Sequence, residues 1–88
     1  MVWQIEFSET ADRQFEKLGM PAKQQISQYL ETRVCKDPYA FGDDLKGNLV
    51  GLRRYRIGDY RVICEIQDEA IKVLVVTVGH RSKAYGGH

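Results

Sequence analysis

Arg53, Arg54, Arg56 and Arg61 fall within nine residues of an 88-residue chain. Side chains at alternate positions of a strand share a face, so Arg54 and Arg56 lie together. Gly58-Asp59 reads as a tight turn, and Arg61 on the returning strand can reach the same patch. Arg81 stands four residues before Tyr85, after the last apolar run. No Asp or Glu at strand spacing obviously neutralises the cluster, apart from Asp59 in the turn and Glu65 further along. Guanidinium groups repel one another unless an anion sits among them, and their planar forks suit phosphate oxygens. The cluster therefore reads as a surface for a polyanion, with a solvated arginine-rich strand face as the plain alternative.

Net charge is only +1, but it is unevenly spread. Residues 1 to 45 carry five Lys/Arg against eight Asp/Glu, and residues 46 to 88 carry eight against four. The basic half is the candidate for phosphate contact. Cys35 and Cys64 read as two buried thiols rather than a disulfide, and His80 and His88 are too few and too far apart for a metal site. No apolar run approaches the ~20 residues that span a bilayer. Met1-Val2-Trp3-Gln4 lacks the basic and apolar regions of a signal peptide, so a cytoplasmic location is expected.

These side chains need a scaffold, and the periodicities supply one. Val2, Trp3, Ile5 and Phe7 make a short first strand, with Trp3 as core or sheet cover. Ser8 reads as a helix N-cap, followed by Ala11, Phe15 and Leu18 on one face and by Gly19 as the helix end. Pro21 suits the first turn of a second helix, whose stripe is Ile26, Tyr29, Leu30, Arg33 and Val34, with Arg33 snorkelling at its edge. Asp37-Pro38 stops it. Residues 37 to 51 read as a loop anchored by Leu45. Three strands follow, Leu52 to Arg56, Tyr60 to Ile66 and Ile71 to Val78, with Asp68-Glu69 turning between the last two. Val73-Leu74-Val75-Val76 is apolar on both faces, which predicts a central strand. The expectation is one α+β domain over residues 1–88: a helical hairpin on one face of a mostly antiparallel four-stranded sheet, in the order β-α-α-β-β-β, with the first strand beside the last.

Three stretches carry a family resemblance: Leu45-Lys46-Gly47, then Arg54 to Ile63 with its RYRxGDYR pattern, then Val78-Gly79-His80-Arg81 with Tyr85. Together they resemble the RelE branch of the RelE/ParE toxin superfamily, over nearly the whole chain. The resemblance implies a type II toxin that enters the ribosomal A site and cleaves mRNA by attack of a 2′-hydroxyl on the neighbouring phosphate, with no metal or cofactor. It implies Arg54, Arg61, Arg81 and Tyr85 as catalytic residues and Arg56 as a basic RNA contact; beside them Arg53, Lys46 and Lys83 read as further RNA contacts, with plain solvated charge the alternative for the two lysines. It also implies a RelB-like antitoxin as partner, the ribosome and mRNA as targets, operator DNA reached only through the antitoxin, and no membrane.

That chemistry needs a base, an acid for the departing 5′-oxygen and stabilisation of charge on phosphorus. Arg61 and Arg81 can stabilise charge, but arginine, with a pKa above ~12, is a poor base. Relatives carry lysines on the first strand of the hairpin where this chain has arginines. The base is therefore left between Tyr85, whose phenolate nearby guanidinium groups favour, and His80, which in this pattern faces away from the site. A ParE-like inhibitor of DNA gyrase, or an inactive antitoxin-binding co-repressor, are the competing readings.

Overall fold

A computed structural model describes residues 2–80. Its elements are β1 (Gln4–Phe7), α1 (Glu9–Glu16), α2 (Met20–Tyr29) running into a π-helical turn (Leu30–Val34), β2 (Asp43–Asp44), β3 (Leu52–Ile57), β4 (Tyr60–Gln67) and β5 (Lys72–His80). The strands form one sheet in the order β1-β5-β4-β3-β2. β1 runs parallel to β5 and the other pairs are antiparallel. The class is the expected α+β one, with β1 beside β5. The sheet has five strands rather than four, because two residues of the supposed loop, Asp43 and Asp44, pair with Arg54 and Arg53.

The helices cover one face. Ala11, Ile26, Leu30 and Val34 are buried against Tyr55, Ile57, Val62, Cys64, Val73, Val75 and Val78. Ser8 caps α1 as expected, its Oγ accepting from the Ala11 N–H at 3.0 Å. The same hydroxyl donates to the Val76 carbonyl at 3.1 Å and so ties the helix start to β5. Gly19 does not end α1. The helix stops at Lys17, and Gly19, with an ordinary φ of −69°, is the N-cap of α2. Three residues join the helices, and each covers different strands: α1 packs on β5 and α2 on β3.

Two irregularities set the geometry of the sheet. β1 pairs with β5 only as far as Phe7 and Val75. Beyond that point the Val78 N–H donates to Gln14 Oε1 of α1 at 2.7 Å, so a helix side chain satisfies the strand edge where the neighbouring strand has ended. On the other side, the β4–β5 register slips by one residue between Ile63 and Cys64, leaving Val76 as a bulge. Without it Thr77 would turn into the core. With it, Val78 is buried and Thr77 and Gly79 lie on the opposite face.

Cys35 and Cys64 are free thiols, as expected, but only Cys64 is buried and Cys35 is half-buried. The Cys35 thiol donates to the Trp3 carbonyl at 3.1 Å, which helps fix Trp3 beside the second helix. Ile71, between β4 and β5, is held at φ +51°, a strained conformation for a β-branched residue.

Candidate nucleic-acid interface

The β3–β4 hairpin builds the basic face. Ile57 pairs with Tyr60, so Gly58-Asp59 is a two-residue turn. Gly58 takes φ +60° and is seated on α2: a Cβ there would lie 2.8 Å from the Gln25 side-chain amide. This tight turn sets the register that puts Arg56 directly opposite Arg61 and Arg54 opposite Ile63. Tyr55, Ile57 and Val62 are buried on the helix side, so Arg54, Arg56 and Arg61 alternate onto the other face. On its β5 side Arg61 pairs with Gly79, and its Nη1 donates to the Tyr60 carbonyl at 3.3 Å. Like charges directly opposite one another destabilise a sheet. Among the described residues neither Arg56 nor Arg61 has a carboxylate within ion-pair distance.

The other two arginines differ. Arg53 shares the helix-side face with Tyr55, and only 8% of it is exposed. Its Nε donates to the Phe41 carbonyl at 2.8 Å, Nη2 donates to the carbonyls of Tyr39 and Gly42 at 3.2 Å each, and Nη1 pairs with Asp44 at 2.7 Å. This is a correction to the expected RNA contact, because the guanidinium is consumed in holding residues 39 to 44 against the sheet. Arg54 does lie on the open face, paired with Asp43 at 3.2 Å. From the sequence only Asp59 and Glu65 stand near the cluster, and the structure adds Asp43 and Asp44. Two adjacent acids facing two adjacent arginines was the available signal, but a two-residue strand is too short for periodicity to reveal. Gly42 allows the close approach, since a Cβ there would lie 2.5 Å from the Arg54 carbonyl oxygen.

Lys46 follows Leu45, whose N–H donates to the Leu52 carbonyl at 3.0 Å. It is therefore at the far end of the hairpin from Arg56 and Arg61. His80 pairs with Tyr60 on the helix side, the rings edge-to-face at 5.8 Å, and so sits on the face opposite Arg61. Arg81, Lys83 and Tyr85 lie outside the described residues. Burial pushes the Cys64 thiol far up, and burial likewise raises the Tyr55 phenol, whose hydroxyl donates to the Pro38 carbonyl at 2.7 Å. Both are neutral core groups away from the open face. No group of three His, Cys, Asp or Glu able to hold a metal occurs among the described residues. No helix there is long and apolar enough to cross a membrane.

The family model for the ParE toxin of type II toxin–antitoxin systems matches residues 5–85. The chain belongs to the RelE/ParE family of type II toxins. It is 28% identical over 85 residues to toxin RelG of Mycobacterium tuberculosis, covering 97% of this chain and 98% of that one. It is 26% identical over 83 residues to toxin RelE of the same organism, covering 94% and 86%. Among solved structures, the toxin–antitoxin complex RelBE2 of M. tuberculosis contains a chain that superposes with a TM-score of 0.87 at 27% identity, over 93% of this chain and 94% of that one. The isolated Escherichia coli RelE toxin superposes with a TM-score of 0.76 at 25% identity, over 89% and 83%. In this RelE/ParE toxin the described part of the basic hairpin thus comprises three arginines on one open face and one turned inward.

Proposed function

We propose that this toxin is a metal-independent endoribonuclease that cuts mRNA in the ribosomal A site. The observation that carries the reading is the Arg56–Arg61 pair, two arginines directly opposite each other in the β3–β4 register, neither within ion-pair distance of a carboxylate among the described residues. A phosphodiester bridging them would relieve the repulsion and gain charge-assisted hydrogen bonds. In the reaction the 2′-oxygen bonds to phosphorus as its proton passes to a base, and the P–O5′ bond breaks as the 5′-oxygen takes a proton from an acid. Arg61 and Arg81 stabilise the charge that builds on the phosphoryl oxygens. Arg54 and Arg56 hold the flanking backbone, with Lys46 and Lys83 as outer contacts. Tyr85 is the proton-transfer group of choice, because His80 lies on the opposite face from Arg61. The likeness to toxins named RelG and RelE supports the reading.

The toxin's partner is a RelB-like antitoxin, supported by the toxin–antitoxin complexes among its structural neighbours, and operator DNA is reached only through it. A second reading, a ParE-like inhibitor of DNA gyrase, is favoured by the description of the family model. Expression without antitoxin separates them. New mRNA 5′ ends on stalled ribosomes support the nuclease, and lost gyrase supercoiling with intact mRNA supports the alternative.

A further inference from the structure

An open groove of about 350 Å³ runs between α2 with its π-helical turn and the outer edge of β3. Arg33, Arg56, Gln25, Gln28 and Thr32 line it beside Gly58, and no Asp or Glu does; the Thr32 hydroxyl donates to the Gln28 carbonyl at 2.6 Å. The π turn, closed by the Cys35 N–H donating to the Leu30 carbonyl at 2.8 Å, places Arg33 over the rings of Tyr29 and Phe41 at 5.0 and 6.0 Å. A guanidinium resting on aromatic faces keeps its N–H donors at its rim. Neither Arg33 nor Arg56 is in an ion pair among the described residues. β2 pairs no further along β3 than Arg54, and the Leu45–Leu52 hydrogen bond fixes which residues point outward there. By alternation, the Arg56 main-chain N–H is directed past this edge with no strand beyond it.

The groove therefore offers two cations and the side-chain amides of Gln25 and Gln28, which suits phosphate oxygens and not a peptide carboxylate alone. Arg56 belongs to both the groove and the open face, so the two surfaces are continuous round the edge of the sheet. We propose that the groove is a second RNA-backbone subsite, holding a phosphodiester one or more nucleotides away from the one bound between Arg56 and Arg61. This rests on the reading of the open face as an RNA surface. Its volume lies at the low end for ligand clefts, enough for a short stretch of backbone and not for a duplex.

The test uses the purified toxin and uncleavable 2′-O-methyl RNA, a dinucleotide and a hexamer. The hexamer should shift the side-chain amide resonances of Gln25 and Gln28, and the dinucleotide should not. Gln28→Glu, which adds a carboxylate to an exposed helical position, should weaken hexamer binding about tenfold, equivalent to ~1.4 kcal/mol, and leave the dinucleotide unchanged. Arg33→Gln should act in the same direction, while Arg61→Ala weakens both oligomers. Unmoved amides and unchanged hexamer affinity in both groove variants, with Arg61→Ala still impaired, would overturn the groove and leave the face intact. Hexamer binding indifferent to Arg61 would overturn the reading of the face and the groove with it. Amide shifts produced equally by inorganic phosphate at the same concentration would make this a simple anion site, against the proposal.

Discussion

The two ends of the β3–β4 hairpin use the same residue type for opposite purposes. At the β2 end, Arg53 and Arg54 each face an aspartate, and Arg53 is buried under three backbone carbonyls. At the turn end, Arg56 and Arg61 face each other. Buried arginines are retained where their donors are used up, and removing one strands its acceptors. Exposed arginines crowded together without counter-ions cost stability, and their use is in what they bind. The hairpin thus contains a structural clamp and the proposed RNA site only three residues apart.

Substitutions at the two ends should separate cleanly. Arg53→Ala is expected to have the largest effect on the fold, a loss of roughly 3 kcal/mol from its unsatisfied carbonyl partners. Thermal unfolding of the variant measures it, and a wild-type melting temperature would break the contrast. Arg61→Ala should leave the melting temperature unlowered, or raise it slightly as the repulsion with Arg56 is relieved, and slow single-turnover cleavage of programmed ribosomes by about 10²-fold. If its defect proves to be instability, the two ends are alike after all. Tyr85→Phe is expected to match that loss or exceed it, up to about 10⁴-fold, if its hydroxyl carries a proton, and His80→Ala should cut at nearly the wild-type rate.

Smaller effects sharpen the comparison. Asp43→Asn frees Arg54 from a pair whose carboxylate is 60% exposed, so stability should change by less than about 1 kcal/mol. RNA affinity should rise a few-fold, and more steeply at low salt, where counter-ion release contributes most. Filter binding across a salt series shows whether Asp43 competes with phosphate. The core sets a pH dependence of its own. Burial holds the Cys64 thiol and the Tyr55 phenol neutral, whereas in the unfolded chain they ionise near 9.0 and 10.0. Above about pH 9 the unfolded state therefore binds fewer protons, and stability falls as pH rises. Denaturant midpoints between pH 8 and 10.5 should decline in the wild type and decline less in Cys64→Val.

What the sequence showed and what it hid have physical causes. Ser8 and Pro21 act through their nearest neighbours, and Val73 to Val76 act through burial, so cap, helix start and central strand could all be read locally. Arg54, Arg56 and Arg61 could be placed on one face because a two-residue turn fixes the register. Arg53 was misjudged because alternation tells which face a side chain takes but not what waits there. Its partners, Tyr39, Phe41, Gly42 and Asp44, come from a segment with no period at all. Gly19 was misassigned because a glycine between two helices can end one or begin the next, and only its φ decides. Gln14 and the π-helical turn gave no signal, since both answer to a strand edge and a groove that exist only once the chain is folded.

The bulge at Val76 gives β5 a tolerance that its neighbours lack. A one-residue slip in a sheet exchanges inside for outside along everything downstream. This strand has already absorbed such a slip, at the point where β1 stops pairing with it and the Ser8 hydroxyl binds the spare carbonyl. The two halves of β5 are thereby indexed separately, the first to β1 and the second to the arginine hairpin. Shortening the chain by one residue at Val76 removes slack and leaves Thr77, Val78 and Gly79 on their present faces. The same deletion at Thr77 or Val78 removes a residue that is in register with β4. Length variation in this strand should therefore gather at the bulge, which works as a splice between the half that completes the fold and the half that lies beside Arg61.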